Sequence, residues 1–472
     1  MSDHENAPGA PVVHLDPGQR ARIGRAARAA VPRSAHADWA PGPDRADPTT
    51  LLTAQETTRV AELVPLRHER MLASPFTFYR GAAVIMAADL AASADTGLRV
   101  QACGDAHLSN FGGFSAPDRA LLFDINDFDE TSGGPFEWDV KRLAASFEIA
   151  ARSRSFTAKE IRGVVTQVTK TYREAMAQFA TMTNLDVWYA RLDVQQVFNQ
   201  YRSQVTPDEV KRFERNLAKA QAKDNMKAFA KLTEQVDGEY RIKSDPPIVV
   251  AMRDLLPDDA VEEMRAWIED RIRVYRRSLQ PDRRRLLESY RLVDFGRKVV
   301  GVGSVGTRCW IALMLGRDAS DPLFIQVKEA EASVLEAHAG RSGFANHGQR
   351  VVEGQRLLQA ASDIMLGWIR TPGLDGVERD FYLRQLWDGK FSADIDAMSP
   401  SALDLYARLC GWTLARGHAR SGDRVAIAAY LGTNDAFDRA MVAYSAAYAD
   451  QNERDYTTVS TALAASAPGA SS

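Results

Sequence analysis

Hydrophobic period changes twice along this chain, and those changes limit the folds open to it. Residues 156–290 repeat apolar positions at helical spacing almost throughout, as in DEVKRFERNLAKAQAKDNMKAFAKL, with a break at SDPPIVV. Ahead of that stretch the pattern is β-like: LRVQACGD, a polar loop to Asn110, FGGF, the turn-rich SAPDRA, then ALLFDI. Strand, turn, strand is the natural parse, with Pro117 and Asp118 supplying the turn chemistry. A Gly-Gly-Pro loop (Gly133–Pro135) then opens a helix, FEWDVKRLAASFEIAARS. From Val293 the chain turns β-like again in RKVVGVGSVGTRCWIALML and, after GRDASDP, in LFIQVKEA. Helical pattern returns in SVLEAHAG and GQRVVEGQRLLQAAS, two apolar runs follow (IMLGWI, DFYLRQLW), and helices fill Ser399 to about Ala465. Strands and helices gathered in separate runs predict an α+β protein.

A length of 472 residues predicts two or three domains. The expected division is an irregular N-terminal arm over 1–50, draped on a domain or disordered, and a helical lobe over 51–290 carrying the polar loops. A small β-rich lobe of about five strands follows over 291–390, with C-terminal helices over 391–472 completing the large lobe. Apolar residues at 45% and charged residues at 26% exclude a disordered or collagen-like chain. Apolar runs such as Ala82–Ala88 are too short to cross a bilayer, so no membrane is expected. A net charge of −3 points to no nucleic-acid partner. Seven arginines between 271 and 285 interleave with acidic residues and read as an ion-paired face. Cys103, Cys309 and Cys410 are too few and too scattered for a disulfide framework, and MSDHENAPGAPVVHLDPGQR has no apolar core of a secretory signal. A cytoplasmic setting is expected.

Chemistry concentrates first in Cys103-Gly-Asp-Ala-His-Leu-Ser-Asn110, with Asp124 fourteen positions further on inside FDINDFDE. This is the donor set that phosphoryl transfer needs: Asp105 to accept or orient the nucleophile's proton, and Asn110 and Asp124 to hold Mg²⁺ against nucleotide phosphates. Asp127 seconds Asp124. Asp-x-x-x-x-Asn alone arises by chance in most proteins, and the bland alternative is a capped loop followed by an acidic, solvated turn. The loop context and the hairpin favour the functional reading. DINDFDE is no EF-hand, which needs Gly where Asp129 stands and Glu where Pro135 stands. Of eight histidines only His107 lies in a motif, and it joins Asp105 as a catalytic candidate. There is no His/Cys set for zinc and no Gly-x-Ser-x-Gly elbow. Trp138, Trp368 and Trp387 flank apolar runs and read as core.

The second motif is Gly301-Val-Gly-Ser-Val-Gly306. A dinucleotide fold would need a helix directly after these glycines, whereas TRCWIALML reads as strand. Glycines joining two strands suggest instead a flexible hairpin over phosphates, with Gly301, Gly303, Ser304 and Gly306 as its contacts; the bland alternative is an ordinary β-turn. In LFIQVKEA, alternation puts Leu323, Ile325 and Val327 on one face and Phe324, Gln326 and Lys328 on the other. Lys328 could then reach nucleotide phosphates with a helical carboxylate as partner, Glu353 by choice or the nearer Glu336; otherwise it is a snorkelling surface lysine.

CGDAHLSN resembles the catalytic loop of aminoglycoside and choline phosphotransferases, usually His-Gly-Asp-x-His-x-x-Asn, with Cys103 where that family generally has His. FDINDFDE is similar to their metal-binding Ile-Asp-Phe segment. Asp139 in EWDVKRLA resembles the Asp that opens the next helix and braces the catalytic loop. From about Arg70 to DQNERDY the chain also resembles the bacterial domain-of-unknown-function 2252 family. These resemblances imply a protein-kinase-like two-lobe fold that uses ATP and Mg²⁺. The glycine motif and Lys328 follow the catalytic loop here, the reverse of the kinase order, so a circular permutation is implied. The expected function is phosphoryl transfer from ATP to an unidentified small-molecule or protein hydroxyl. The alternatives are AMP transfer on the same fold and an inactive nucleotide-sensing pseudokinase. No motif speaks to the oligomeric state.

Overall fold

A computed structural model describes residues 14–204, 206–221, 225–373, 375–386 and 391–466. Strands in chain order are β1 (Arg99–Ala102), β2 (Phe111–Ser115), β3 (Leu121–Ile125), β4 (Ser132–Pro135), β5 (Leu192–Asp193), β6 (Thr233–Val236), β7 (Glu239–Ile242) and β8 (Val249–Ala251). They continue as β9 (Arg291–Lys298), β10 (Cys309–Leu315), β11 (Pro322–Ala330), β12 (Gly367–Pro372), β13 (Glu378–Gln385) and β14 (Phe391–Ser392). The protein is α+β.

The largest sheet is antiparallel, in the order β12-β13-β11-β10-β9-β8. Strict alternation gives it two apolar faces. Ala312, Met314, Leu323 and Ile325 pack on one side with Met264, Ile268 and Ile272 of the Asp258–Tyr275 helix. Ile311, Leu313, Leu315 and Phe324 pack on the other with Phe229, Leu232 and Ile242. The five strands expected within 291–390 are thus joined by a sixth, β8, and both faces are covered by residues from 228 to 287. The boundary expected at 290 therefore cuts through this unit. The helical reading of 156–290, broken only at SDPPIVV, is also corrected: β6 and β7 form a hairpin ahead of that break. Its two-residue loop is Asp237-Gly238, with φ of 52° and 84°, the positive pair that a type I′ turn demands.

The second core is helical. The Phe136–Ser153 helix starts as expected, with Glu137 and Asp139 in its first turn, where carboxylates suit the helix dipole. The preceding Gly133–Pro135 is strand β4, paired with β1, rather than loop. Residues 136–151 are all buried, charged ones included, among the helices Ala158–Thr181, Pro400–Ser421 and Ala436–Ser466. Strands β2 and β3 pair as the expected hairpin and rest Phe111, Phe123 and Ile125 on this core.

Of the expected irregular arm, residues 1–13 lie outside the described residues, and residues 14–50 hold more regular structure than their Ala/Pro-rich composition suggested. Pro17–Ala30 is a helix opened by an Asp16/Gln19 capping box with Pro17 at its first position. It lies on the Arg424–Leu431 helix so closely that a Cβ at Gly24 would overlap the Ala426 carbonyl, and Arg20 pairs with Asp423 at 2.9 Å. Arginines 271, 273, 276 and 285 pair with Asp270 or Glu288, the ion-paired face expected. Cys103, Cys309 and Cys410 are free and buried. Trp138 is buried and Trp368 half-buried against the helical core; Trp387 lies outside the described residues. Among the described residues no helix is long and apolar enough to cross a membrane.

Candidate functional site

Strand β1 ends at Ala102, and the next two residues are pinned from the helical core. Asp139 accepts the backbone N–H of Cys103 at 2.6 Å and of Gly104 at 2.9 Å. His418 Nε2 lies 3.1 Å from the same carboxylate, and its Nδ1 lies 2.8 Å from the Tyr172 hydroxyl. Gly104 has φ of 83°, and a Cβ there would overlap the Glu130 carbonyl oxygen, so this loop lies directly on the acidic loop after β3.

Asp105 emerges into a cleft between the two cores. Its Oδ1 is forked by Arg142, with Nε at 2.8 Å and Nη2 at 2.6 Å, and its Oδ2 stands 3.6 Å from His107 Nε2. Arg142 is itself fixed by the Tyr79 carbonyl at 2.9 Å and by the Tyr79 ring. Asn110 donates Nδ2 to the Asp105 carbonyl at 2.8 Å, and among the described residues no hydrogen bond is found to its side-chain oxygen on the cleft wall. His107 is buried, and burial together with Arg80 and Arg142 holds its imidazole well below the usual range, hence neutral.

The acidic loop sets the two expected carboxylate ligands apart. Asp124 sits in β3 on the face shared with Leu122, is 1% exposed, and points away from the cleft. Its oxygens are taken by Arg416 Nη2 at 2.5 Å, Ile125 N at 2.9 Å and Ala360 N at 2.8 Å. Asp127, three residues on and past the strand end, faces the cleft with Asp105, His107 and Asn110. Burial, reinforced by Asp129, raises the Asp127 carboxyl above its ordinary value. Burial would raise Asp129 too, but Lys328 and Tyr382 outweigh it and hold that group low. Burial pushes Glu130, which accepts Val334 N at 2.8 Å, up to about 7.

From the sheet side, Lys328 follows Phe324 and Gln326 on the expected face of β11, with Cys309 and Tyr382 as cross-strand neighbours. The expected antiparallel hairpin of β10 and β11 is present. Lys328 is 2% exposed, and its ion-pair partner is Asp129 rather than Glu353 or Glu336. The reason is reach: Glu353 is half-exposed and pairs with Arg356 at 3.0 Å, while Glu336 stands 3.4 Å from Arg350. Asp129 also accepts the Tyr382 hydroxyl at 2.7 Å and the Ser304 hydroxyl at 3.2 Å. Burial would lower the Lys328 ammonium, but Asp129, Tyr382 and Asp127 outweigh it and raise it.

The glycine motif does join two paired strands, β9 and β10. Gly301, Gly303 and Ser304 line the cleft. Gly306, expected beside them, is instead held against Arg59: its carbonyl accepts Val60 N at 2.8 Å, and the Val305 carbonyl accepts Arg59 Nη1 at 2.5 Å. The loop is thus anchored by the N-terminal segment rather than free-standing. Asp105, His107, Asn110, Asp127, Gly301, Gly303 and Ser304 share one cleft, Lys328 reaches it through Asp129, and Asp124, Glu353 and Gly306 stand outside it.

Several residues of this cleft escaped the sequence reading. Asp129 had a signal, being two residues from Asp127. Arg142 sits three residues after Asp139 on the same buried helix, and Arg350 holds the carbonyls of Asp129, Thr131 and Glu331 at 2.5–2.9 Å. Arg59 and Arg80 lie in segments without a motif. Among the described residues no three His, Cys, Asp or Glu side chains form a ready metal cage.

Residues 59–462 match the family described as "Uncharacterized protein conserved in bacteria (DUF2252)". No curated protein and no solved structure matches the chain. The chain belongs to that bacterial family.

Proposed function

We propose that this family member is a phosphotransferase that binds ATP with Mg²⁺ on a circularly permuted kinase-like framework and transfers a phosphoryl group to a hydroxyl of a second substrate. One observation carries the reading. The strand lysine that follows a glycine hairpin and the acidic loop that follows a Gly-Asp-x-His-x-x-Asn loop meet in one cleft, although 199 residues separate Lys328 from Asp129. Phosphoryl transfer needs those groups together and is indifferent to their order in the chain.

The donor set suits Mg²⁺. That ion takes few protein oxygens and completes its shell with water and substrate phosphates, so a complete cage is not required. Asp127 offers a carboxylate whose charge is penalised by burial and by Asp129, and a cation would relieve both. Asn110 offers its side-chain oxygen. When bound, the ion would neutralise the phosphates during transfer.

The chain's own residues divide the remaining work. Asp105 orients the attacking hydroxyl through Oδ2, because Oδ1 is engaged by Arg142. Neutral His107 stands beside that oxygen. Gly301, Gly303 and Ser304 present backbone and hydroxyl groups to phosphates without a Cβ to block approach at the glycines. Lys328, released from Asp129 when phosphate offers the stronger counter-charge, anchors the nucleotide. Melting of the full-length protein with millimolar ATP tests this: stabilisation should require Mg²⁺, and an unchanged melt with both would overturn the reading. The mass gained by a modified acceptor separates phosphoryl from AMP transfer.

A further inference from the structure

Most buried arginines around the cleft are spent. Arg142 forks Asp105, Arg350 holds three carbonyls and Arg416 pairs with Asp124. Arg80 and Arg59, both half-buried, are not. Both line the cleft beside Asp105, His107 and Asn110, and no ion pair within 4 Å is found for either among the described residues. Each has its Nε sealed from water without a hydrogen-bond partner. Arg59 spends one nitrogen on the Val305 carbonyl, whereas the neighbour found for the Arg80 guanidinium is the Phe76 ring at 5.9 Å.

Their positions differ in a way that separates two substrates. Arg59 is packed against Gly306 and the Arg80 backbone meets Gly303, so both flank the glycine hairpin, but the carboxylates that most favour the Arg59 charge are Glu331 and Glu130. Arg80 closes the Pro75–Gly81 helix and acts on the catalytic loop: Asp105 is the foremost of the carboxylates that favour its charge, and Arg80 is foremost among the cations that keep His107 neutral. Asp105, Asp127, Asp129 and Glu130 line this cleft, so an anionic substrate would be repelled from Asp105 unless a cation received it. A guanidinium left unpaired in a partly desolvated wall is costly, and an anionic ligand removes that cost.

We propose that Arg80 forms an anion subsite at the catalytic-loop end of the cleft, so that the second substrate is a hydroxyl compound bearing a phosphate or carboxylate group. This assignment rests on the transfer reading for what happens next to Asp105. Arg59 serves the nucleotide phosphates at the other end. Arg80 is therefore a specificity-determining residue, and its planar fork suits either anion bidentately.

The test is calorimetric titration of the full-length protein, saturated with Mg²⁺ and a non-hydrolysable ATP analogue, with inorganic phosphate in one arm and malonate in the other. At least one should bind, and the stronger arm identifies the anion. Arg80→Gln should weaken that binding roughly tenfold or more, leave analogue affinity within about threefold, and melt no lower than the unsubstituted protein without ligand, because it removes an unpaired charge. Arg80→Lys, which keeps the charge, should retain part of the affinity and covers the case in which Arg80→Gln fails to fold. If neither anion binds, or if Arg80→Gln leaves the anion affinity unchanged, the subsite is refuted. If the analogue fails to bind while phosphate or malonate still binds through Arg80 to the unloaded protein, the nucleotide reading falls and the anion site stands.

Discussion

Lys328 of β11 and Asp129 of the acidic loop form an ion pair that ties the sheet unit to the helical body, with Tyr382 and Ser304 bonded to the same carboxylate. Lys328 is almost wholly buried, so either partner alone would be an uncompensated charge. Lys328→Met or Asp129→Asn should each cost about 3–5 kcal/mol in denaturant unfolding, and the double substitution should cost less than the two summed. Additive losses would show that the pair is not energetically linked.

Asp124 and Asp127 should separate cleanly. Asp124→Asn breaks a buried pair with Arg416 and should destabilise by roughly 3 kcal/mol, with Mg²⁺-dependent nucleotide stabilisation surviving where the protein still folds. Asp127→Asn removes a charge that burial and Asp129 disfavour, so stability should hold or rise while the Mg²⁺-dependent shift disappears. Paired melts with and without Mg²⁺ and ATP decide; the opposite pattern would restore Asp124 as the ligand.

Glu130 predicts a pH trend. Its carboxyl ordinarily titrates near 4.5 but is pushed to about 7 in the folded chain, so the native state binds more protons than the unfolded state between those values. Stability is therefore fully present below about pH 4.5 and declines as pH rises through 7, by up to about 3 kcal/mol for this group. Glu137 shifts in the same direction, so the measurement is a difference: Glu130→Gln should flatten that part of the stability profile relative to the parent protein. An unaltered slope refutes the assignment.

Gly104→Ala probes the contact between the two loops. Positive φ and overlap with the Glu130 carbonyl should together cost more than about 2 kcal/mol. Even where the protein folds, nucleotide-dependent stabilisation should weaken, because Asp105 is the next residue. Wild-type melting and ligand response would mean that the loops adjust freely.

What was legible in the sequence was what short-range pattern controls. Alternation in LFIQVKEA put Lys328 on the correct face of β11, and the strand character of TRCWIALML correctly separated the glycine hairpin from a dinucleotide fold. Composition misled in two places where a local signal was present. Asp16-Pro-Gly-Gln19 is a capping box that the surrounding Ala and Pro obscured, and Asp237-Gly238 is a hairpin turn set among helices. Partner choice was beyond reach. Asp129 wins Lys328 over Glu353 because of where the loop after β3 ends in space, and no spacing rule encodes that. Arg59 and Arg80 are set by the packing of the N-terminal segment, which leaves no periodic trace.

The helical core joins Phe136–Ser153 and Ala158–Thr181 to Pro400–Ser421 and Ala436–Ser466, whereas the six-stranded sheet and the helices on its faces come from one continuous stretch ending at Gln385. On the ribosome the sheet unit can therefore finish before residues 400–466 are made, leaving the apolar faces around residues 136–181 uncovered until those helices emerge. A nascent chain cut short before residue 400 would carry a formed glycine hairpin and Lys328 but a loop after β1 whose brace, Asp139, lacks His418. The support of the loop at Asp105 is thereby withheld until residue 418 has been made.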